Sequence, residues 1–430
     1  MRGQSTRPGL VLLLRTLGMI ALLVLAACSP KREVVTFWAM GREGEVVTAL
    51  LPEFERLHPG TQVVVQQLPW SAAHEKLLTA FAGDATPDVA QMGNTWIPEM
   101  VALRALEPLG AQIANSKLIA PQDFFPGIWD ANVIDNTVYG VPWYVDTRLL
   151  FYRKDLLSKA GFNAPPQTWD EWRRMLAAIK RQVGAQSYAV LLPVNEFEPL
   201  LVLALQQEAS LLRDGGRWGN FRSTDFRRAL NFYREMFDSG WAPPMNNNQI
   251  ANLWAEFGRG YFSFYISGPW NIGEFKRRLP SEQQANWMTA PMPGPNGPGA
   301  STAGGASLVV FKASRHKQQA WELVEYLSSP AVQARFHELT GNLPPRRSVW
   351  ATPALANDVY AQAFRVQLER AKPAPKLPEW ERIANEMQVL AAQLVHGSLS
   401  VDQAVQELDT RVDAMLEKRR WMLAQGQAKP

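Results

Sequence analysis

Cysteine is almost absent from these 430 residues: there is one, Cys28. A lone thiol excludes an internal disulfide framework and a cysteine-type structural zinc site. Histidine is scarce too. His58, His74, His316, His337 and His396 are scattered, and no H-E-x-x-H pair is there to hold a catalytic metal. No nucleophile elbow, P-loop or dinucleotide fingerprint occurs, nor any repeat of solenoid period. A strong excess of one charge is also missing. Lys plus Arg number 44 against 40 Asp plus Glu, so electrostatics give no case for a polyanionic partner or nucleic acid. What is present, 47% apolar and 20% charged residues, describes a well-packed globular protein with length for two or three domain-sized units.

The N-terminus reads as an address. Arg2, Arg7 and Arg15 precede the apolar run Leu17 to Ala27, which ends Leu25-Ala26-Ala27-Cys28. A basic start, a short apolar stretch and small residues at a cleavage point describe a secretory signal peptide, here 1–27. The run is short for a permanent membrane span. Cys28 directly after Leu-Ala-Ala resembles the bacterial lipobox, whose cysteine is lipidated and becomes the new N-terminus. Acyl chains would tether the protein, each buried methylene adding about 0.8 kcal/mol. Loss of the three arginines would lower the net charge from +4 to +1. Lys418-Arg419-Arg420 beside Trp421 reads as a solvated helix end.

Along the chain, short β-rich runs alternate with helical patterns, the mark of an α/β fold. Val34–Trp38, Gln62–Gln66, Asp88–Met92, Leu149–Tyr152, Tyr188–Leu192, Tyr261–Ile266 and Ser307–Phe311 are predicted strands. Val46, Val47, Leu50, Leu51, Phe54 and Leu57 recur at helical spacing, with Pro52 interrupting. Thr168-x-x-Glu171 and Ser400-x-x-Gln403 have capping-box spacing. After Ser400 an apolar stripe runs through Val401, Ala404, Val405, Leu408, Val412 and Met415, so the last seventy or so residues are expected to be mostly helical. The stretches 292–305 and 371–378 are rich in breakers and read as a crossing and a break.

Tryptophan is the unusual abundance, at sixteen. Most are expected in the core, yet Trp96, Trp143 and Trp270 sit in turn-like contexts. A flat ring with a polar tip can stack on the C–H face of a sugar, while carboxylates and guanidinium groups grip the hydroxyls in charge-assisted pairs. The acidic candidates are Glu43, Glu45, Asp84, Asp88 and Asp146. Asp88, after Pro87, reads as a turn or cap. A glycosidase would need two carboxylates flanking a bond, and no motif signals such a pair.

Phe37-Trp-Ala-Met40, Pro87-Asp-Val-Ala-Gln-Met-Gly-Asn-Thr-Trp96, Tyr139-Gly-Val-Pro-Trp-Tyr-Val-Asp-Thr-Arg148, Ser267-Gly-Pro-Trp270 and Gly304-Gly-Ala-Ser-Leu308 follow one another in order. As a set they resemble the sugar-binding proteins of bacterial ABC importers, extracellular solute-binding family 1, over about 34–347. The subgroup of maltose and trehalose binders is the most similar. The resemblance implies a two-lobe periplasmic-binding-protein fold with a ligand cleft between the lobes. Lobe one would be 34–143 plus 305–345, and lobe two 147–302 plus 346–425. The crossings would lie near 144–146, 302–304 and 343–346.

It also implies roles for residues. Glu43 and Glu45 would accept hydroxyl hydrogens, and Trp70 and Ser71 would come from the loop after the second strand. Asn94 and Trp96 would face the cleft, and Tyr144, Asp146 and Arg148 would lie on the crossing. Trp270 would be the stacking platform, and Gly304 and Gly305 would let backbone approach the sugar. Arg346, or Arg347 in its place, would reach in from the third crossing. Relatives carry Asp before the cleft tryptophan where this chain has Gly93-Asn94, and an amide both donates and accepts.

The implied function is a periplasmic, lipid-anchored, monomeric receptor. It would capture an α-glucoside disaccharide such as maltose or trehalose and pass it to an ABC permease with its ATPase, without bond changes, cofactor or metal. The competing expectations are an exported glycoside hydrolase and, from Arg148 and Arg346, a receptor for a phosphorylated polyol such as glycerol 3-phosphate.

Overall fold

The structure, a computed structural model, describes residues 32–425. The signal-peptide stretch and Cys28 lie outside them. The strands that matter for the site are β1 (Glu33–Met40), β2 (Thr61–Leu68), β3 (Val89–Gly93), β4 (Gly140–Asp146), β5 (Leu149–Arg153), β6 (Tyr188–Leu191), β7 (Phe262–Ser267), β8 (Trp287–Ala290), β9 (Ser301–Thr302), β10 (Gly304–Val310) and β11 (Ala371–Lys372). They build two principal sheets, ordered β2-β1-β3-β10-β4 and β8-β5-β7-β6. In the first, β1 runs parallel to β2 and β3, and β10 runs antiparallel to β3 and β4. In the second, β7 is parallel to β6 and antiparallel to β5. This is the expected α/β architecture of two lobes, each with its own sheet.

Local sequence explains the elements. In β1, Val35, Phe37 and Ala39 are buried on one face, as period-two alternation requires. The helical pattern that follows is divided. Helix α1 (Gly41–Val46) passes through a single 3-10 turn into α2 (Leu51–Leu57), with Pro52 in the first turn, where its missing N–H costs nothing. Both capping boxes form: Thr168 opens the helix Trp169–Val183 and Ser400 opens Val401–Met415. With Trp380–Val395 and Glu417–Ala424 the C-terminal segment is helical as expected. Asp88 accepts hydrogen bonds from the Thr36 amide and hydroxyl and from Ser314, a structural tie rather than a ligand contact.

Each lobe has a separate core. Phe37, Phe54, Trp143, Leu308 and Phe336 pack in the first, and Trp169, Trp172, Phe232, Trp380 and Leu408 in the second. A further cluster at the junction joins Val145 and Ala303 to Phe151, Phe275 and Trp350. Phe125 and Ile128, from the part of the chain expected in lobe one, pack there too. The chain passes between the sheets at Thr147–Arg148 and at Ala303, and Val145 donates its N–H to the Leu343 carbonyl at 2.9 Å.

Candidate functional site

A cavity of about 570 Å³ lies where the sheets meet. That is within the usual range for a small-molecule site. From the first lobe it is lined by Glu43, Trp70, Asn94, Trp96 and Tyr144, and from the second by Phe197, Glu198 and Trp270. Asp146, Arg148, Thr302, Gly304, Gly305 and Asn342 come from the segments between.

The strand alternation of β4 decides which aromatic reaches the cavity. Trp143 points into the packed core of the first lobe and stacks on Phe336 at 4.5 Å. Tyr144 and Asp146 face the opposite way and line the cavity. Trp143, singled out by its turn-like context, is therefore core. So are Trp169, Trp172, Trp241, Trp287, Trp321, Trp350 and Trp380. Trp70 and Trp270 are 38% and 42% exposed, open faces at the cleft. Trp96 meets Trp70 edge-on at 5.6 Å. The ring of Trp270 lies back over Gly268, where an added Cβ would fall 1.8 Å from Cζ3, and the Arg148 guanidinium sits 4.7 Å from its centroid.

Arg148 holds the electrostatic centre. It donates to Asp146 Oδ1 at 2.8 Å and to Glu198 Oε1 at 2.9 Å. Burial alone would depress the guanidinium, but Asp146, Glu198 and Glu196 together hold it firmly protonated. Burial pushes the Asp146 carboxyl above its usual value, with Arg148 pulling down and Glu198 adding to the rise. The Tyr144 phenol is pushed well up by burial and by the charges of Glu43 and Asp146, and its oxygen accepts from Gln91 Nε2 at 3.1 Å. Glu43 accepts from Asn342 Nδ2 at 2.6 Å. Asn94 is almost fully buried. Its Oδ1 accepts from the Ser307 hydroxyl at 2.9 Å, while its Nδ2 is a buried donor without a partner among the described residues, beside the cavity. A buried unpaired donor is costly, and here it is the group that sets this chain apart from an aspartate at the same place.

Four expected contributions differ. Glu45 is exposed and accepts from Gln67 Nε2 at 3.1 Å, away from the cavity. The segment after β1 is helical, and residues two apart on a helix do not share a face, so Glu43 and Glu45 cannot both look inward. Ser71, next to Trp70 on the helix Trp70–Ala82, is exposed and does not line the cavity. Arg346 is 5% exposed and fully engaged elsewhere. It donates to Asp123 Oδ2 and to the Ser328 carbonyl, each at 2.7 Å. Arg347 pairs with Glu369 and the Gln122 and Phe124 carbonyls, so it is not the substitute. Gly304 and Gly305 do line the cavity, but their lack of a side chain serves strand pairing. A Cβ on Gly305, at φ +119°, would lie 2.3 Å from the Tyr144 carbonyl oxygen.

The model of the family described as bacterial extracellular solute-binding protein matches residues 40–334. The chain belongs to this family. As a bacterial extracellular solute-binding protein it binds and does not transform its solute, and it works outside the cytoplasm. The solved structure of the sugar-binding protein MalE from the phytopathogen Xanthomonas citri is 57% identical, with a TM-score of 0.89 over 91% of this chain and 100% of that one. Maltodextrin-binding protein MdxE of Bacillus subtilis is 23% identical over 89% of this chain and 92% of its own. Diacetylchitobiose binding protein DasA of Streptomyces coelicolor is 23% identical over 82% of each.

Sequence reasoning missed Phe197, Glu198, Asn342, Ala374 and Glu381, all on this solute-binding protein's cavity wall. The one available signal was Glu198, an acid opening the apolar run Pro199–Leu205. It reads equally well as a helix-dipole partner.

Proposed function

We propose that the cleft captures a neutral saccharide, an α-glucoside disaccharide such as maltose or trehalose, by closure of the two lobes and delivers it to an ABC permease. The observation that carries this reading is the pairing of open tryptophan faces with hydroxyl-gripping acids. Trp70 and Trp270 offer apolar faces, and Glu43, Asp146, Glu198 and Glu381 offer acceptors in the same cavity. The resemblance to a sugar-binding MalE at 57% identity supports it. The lipid anchor at Cys28, on the periplasmic face of the envelope, belongs to the same proposal, as does a monomeric receptor.

A phosphorylated polyol fits poorly. Among the described residues Arg148 is the one cation on the wall and is already bound to two carboxylates, and Arg346 is buried elsewhere. A phosphate would add negative charge to a cavity that already carries more acids than bases, which costs Coulomb energy at short range.

Calorimetric titration with maltose, trehalose, maltotriose, sucrose, glucose and glycerol 3-phosphate tests the reading. Saturable binding of a disaccharide, recovered intact, at a micromolar Kd or about −8 kcal/mol is the expected result. Binding of glycerol 3-phosphate in preference to every neutral sugar would overturn it.

A further inference from the structure

The segments that join the lobes lie side by side in a definite order. Leu343 bridges Val145, Asp146 pairs with Gly304, and Ser301 of β9 pairs with Ala371 of β11. The row therefore has Asn342 at one edge and Lys372 at the other. The cavity wall follows the same row, from Asn342 through 144–146 and 302–305 to Ala374. Whatever stands at the Lys372 edge bounds a ligand lengthwise on that side.

At the Lys372 edge stands a strap, Pro373-Ala374-Pro375-Lys376-Leu377-Pro378. Its three prolines fix φ and favour a stiff extended chain. Both of its ends are held by the second lobe. Lys372 Nζ donates to the Leu205 carbonyl at 2.9 Å, and Leu377 and Trp380 are buried in that lobe's core. Its middle is fastened across the junction. Lys376 Nζ donates to Asp130 Oδ1 at 2.9 Å, to the Asp130 carbonyl at 3.2 Å and to the Val133 carbonyl at 2.9 Å. Between the strap and the turn at Asn94, Thr95 and Pro98 only about 10 Å³ remains, no more than one water needs. Asn94, Thr95, Ala303 and Ala374 line both this gap and the main cavity, so the gap is the end of the same cleft. Just beyond the strap Glu381 faces the cavity, and its carboxylate makes no hydrogen bond or ion pair among the described residues.

We propose that the strap at 373–378 is an end stop, so that the site reads the terminal ring of a saccharide. This rests on the reading of the cleft as a saccharide site. The hydroxyls of the terminal ring meet Glu381 and the free Nδ2 of Asn94, and any further rings extend only toward Asn342. A cyclic saccharide has no terminus to present, and an internal stretch of a longer chain cannot thread past Ala374.

The purified protein is titrated with maltose, trehalose, maltohexaose and α-cyclodextrin, the cyclic counterpart of maltohexaose. The best linear ligand is expected to bind at least tenfold tighter than the ring. Lys376→Ala, and separately the pair Pro373→Gly and Pro375→Gly, should cut that ratio at least threefold by loosening the strap, with melting curves reporting that each variant is folded. A ring that binds the unaltered protein as tightly as the best linear ligand overturns the end stop, and so does a ratio unmoved by both strap variants. If none of the four binds, the saccharide reading falls and takes the end stop with it.

Discussion

Alanine in place of Gly268 should weaken ligand binding although residue 268 carries no group for the ligand. The new Cβ would sit 1.8 Å from Trp270 Cζ3 and 2.3 Å from Cη2, so the indole must leave its seat. Gly268 is not in the left-handed region, so the methyl brings no backbone strain. The displaced ring is already 42% exposed, and moving it into solvent should change stability by about 0.5 kcal/mol. At the site the loss is larger. An aromatic face contributes about 0.5–1.5 kcal/mol beyond its area. Burial of roughly 40 Å² of ring against a ligand adds about 1 kcal/mol at about 25 cal/mol per Å². The total, about 1.5–2.5 kcal/mol, is a Kd raised roughly 10- to 60-fold. Trp270→Ala should cost the same, and the double variant should cost no more than either, because one ring carries both effects. Calorimetry with the bound saccharide and thermal melts of the three variants provide the measurement. A Kd within twofold of the parent for Gly268→Ala, or two effects that add, would refute the reasoning.

Arg346→Ala or Asp123→Ala breaks a pair whose arginine is 5% exposed, and each should cost about 3–5 kcal/mol in denaturant unfolding, leaving ligand Kd within about twofold. For Asp123, burial works to raise the carboxyl, but the Ser348 hydroxyl and amide and the Arg346 guanidinium outweigh it and hold it below its ordinary value. Its contribution to stability is therefore present above the ordinary carboxylate range and lost as pH falls through the depressed value, so Asp123→Asn should flatten the acid limb of a stability curve taken between about pH 2 and 5. Asn94→Leu removes the unpaired buried donor; calorimetry should show affinity about tenfold weaker, while the melting temperature of the free protein moves by only a few degrees. Cys28→Ala should shift the chain from the membrane to the soluble fraction and abolish labelling by palmitate.

The fold was readable because its signals are local. Capping boxes at Thr168 and Ser400, alternation through Val35 and Phe37, and the Pro52 interruption each act within a few residues. Glu43, Trp70, Asn94, Asp146 and Trp270, each carried by a motif, line one cavity in the structure. The sequence misled where local conformation decides direction. Glu43 and Glu45 part company only once their segment is helical, and Trp143 and Tyr144 only once theirs is a strand. The resemblance brings Arg346 to the cleft, but its guanidinium is held inside the lobe by Asp123. Asn342 and Glu381 reach the cavity through tertiary folding alone, and no pattern in their own neighbourhoods says so.

The cavity wall draws on positions from Glu43 to Glu381. A chain still being synthesised or threaded through a membrane therefore has no complete cavity until the residues from Glu43 to Glu381 have emerged and folded. Solute in the compartment of synthesis cannot trap a partial chain, and solute outside stabilises only the finished one, by RT ln(1 + [L]/Kd). Ligand thus acts as a late, selective pull on the completed molecule, and the order of events in export is written into where the wall residues sit along the chain.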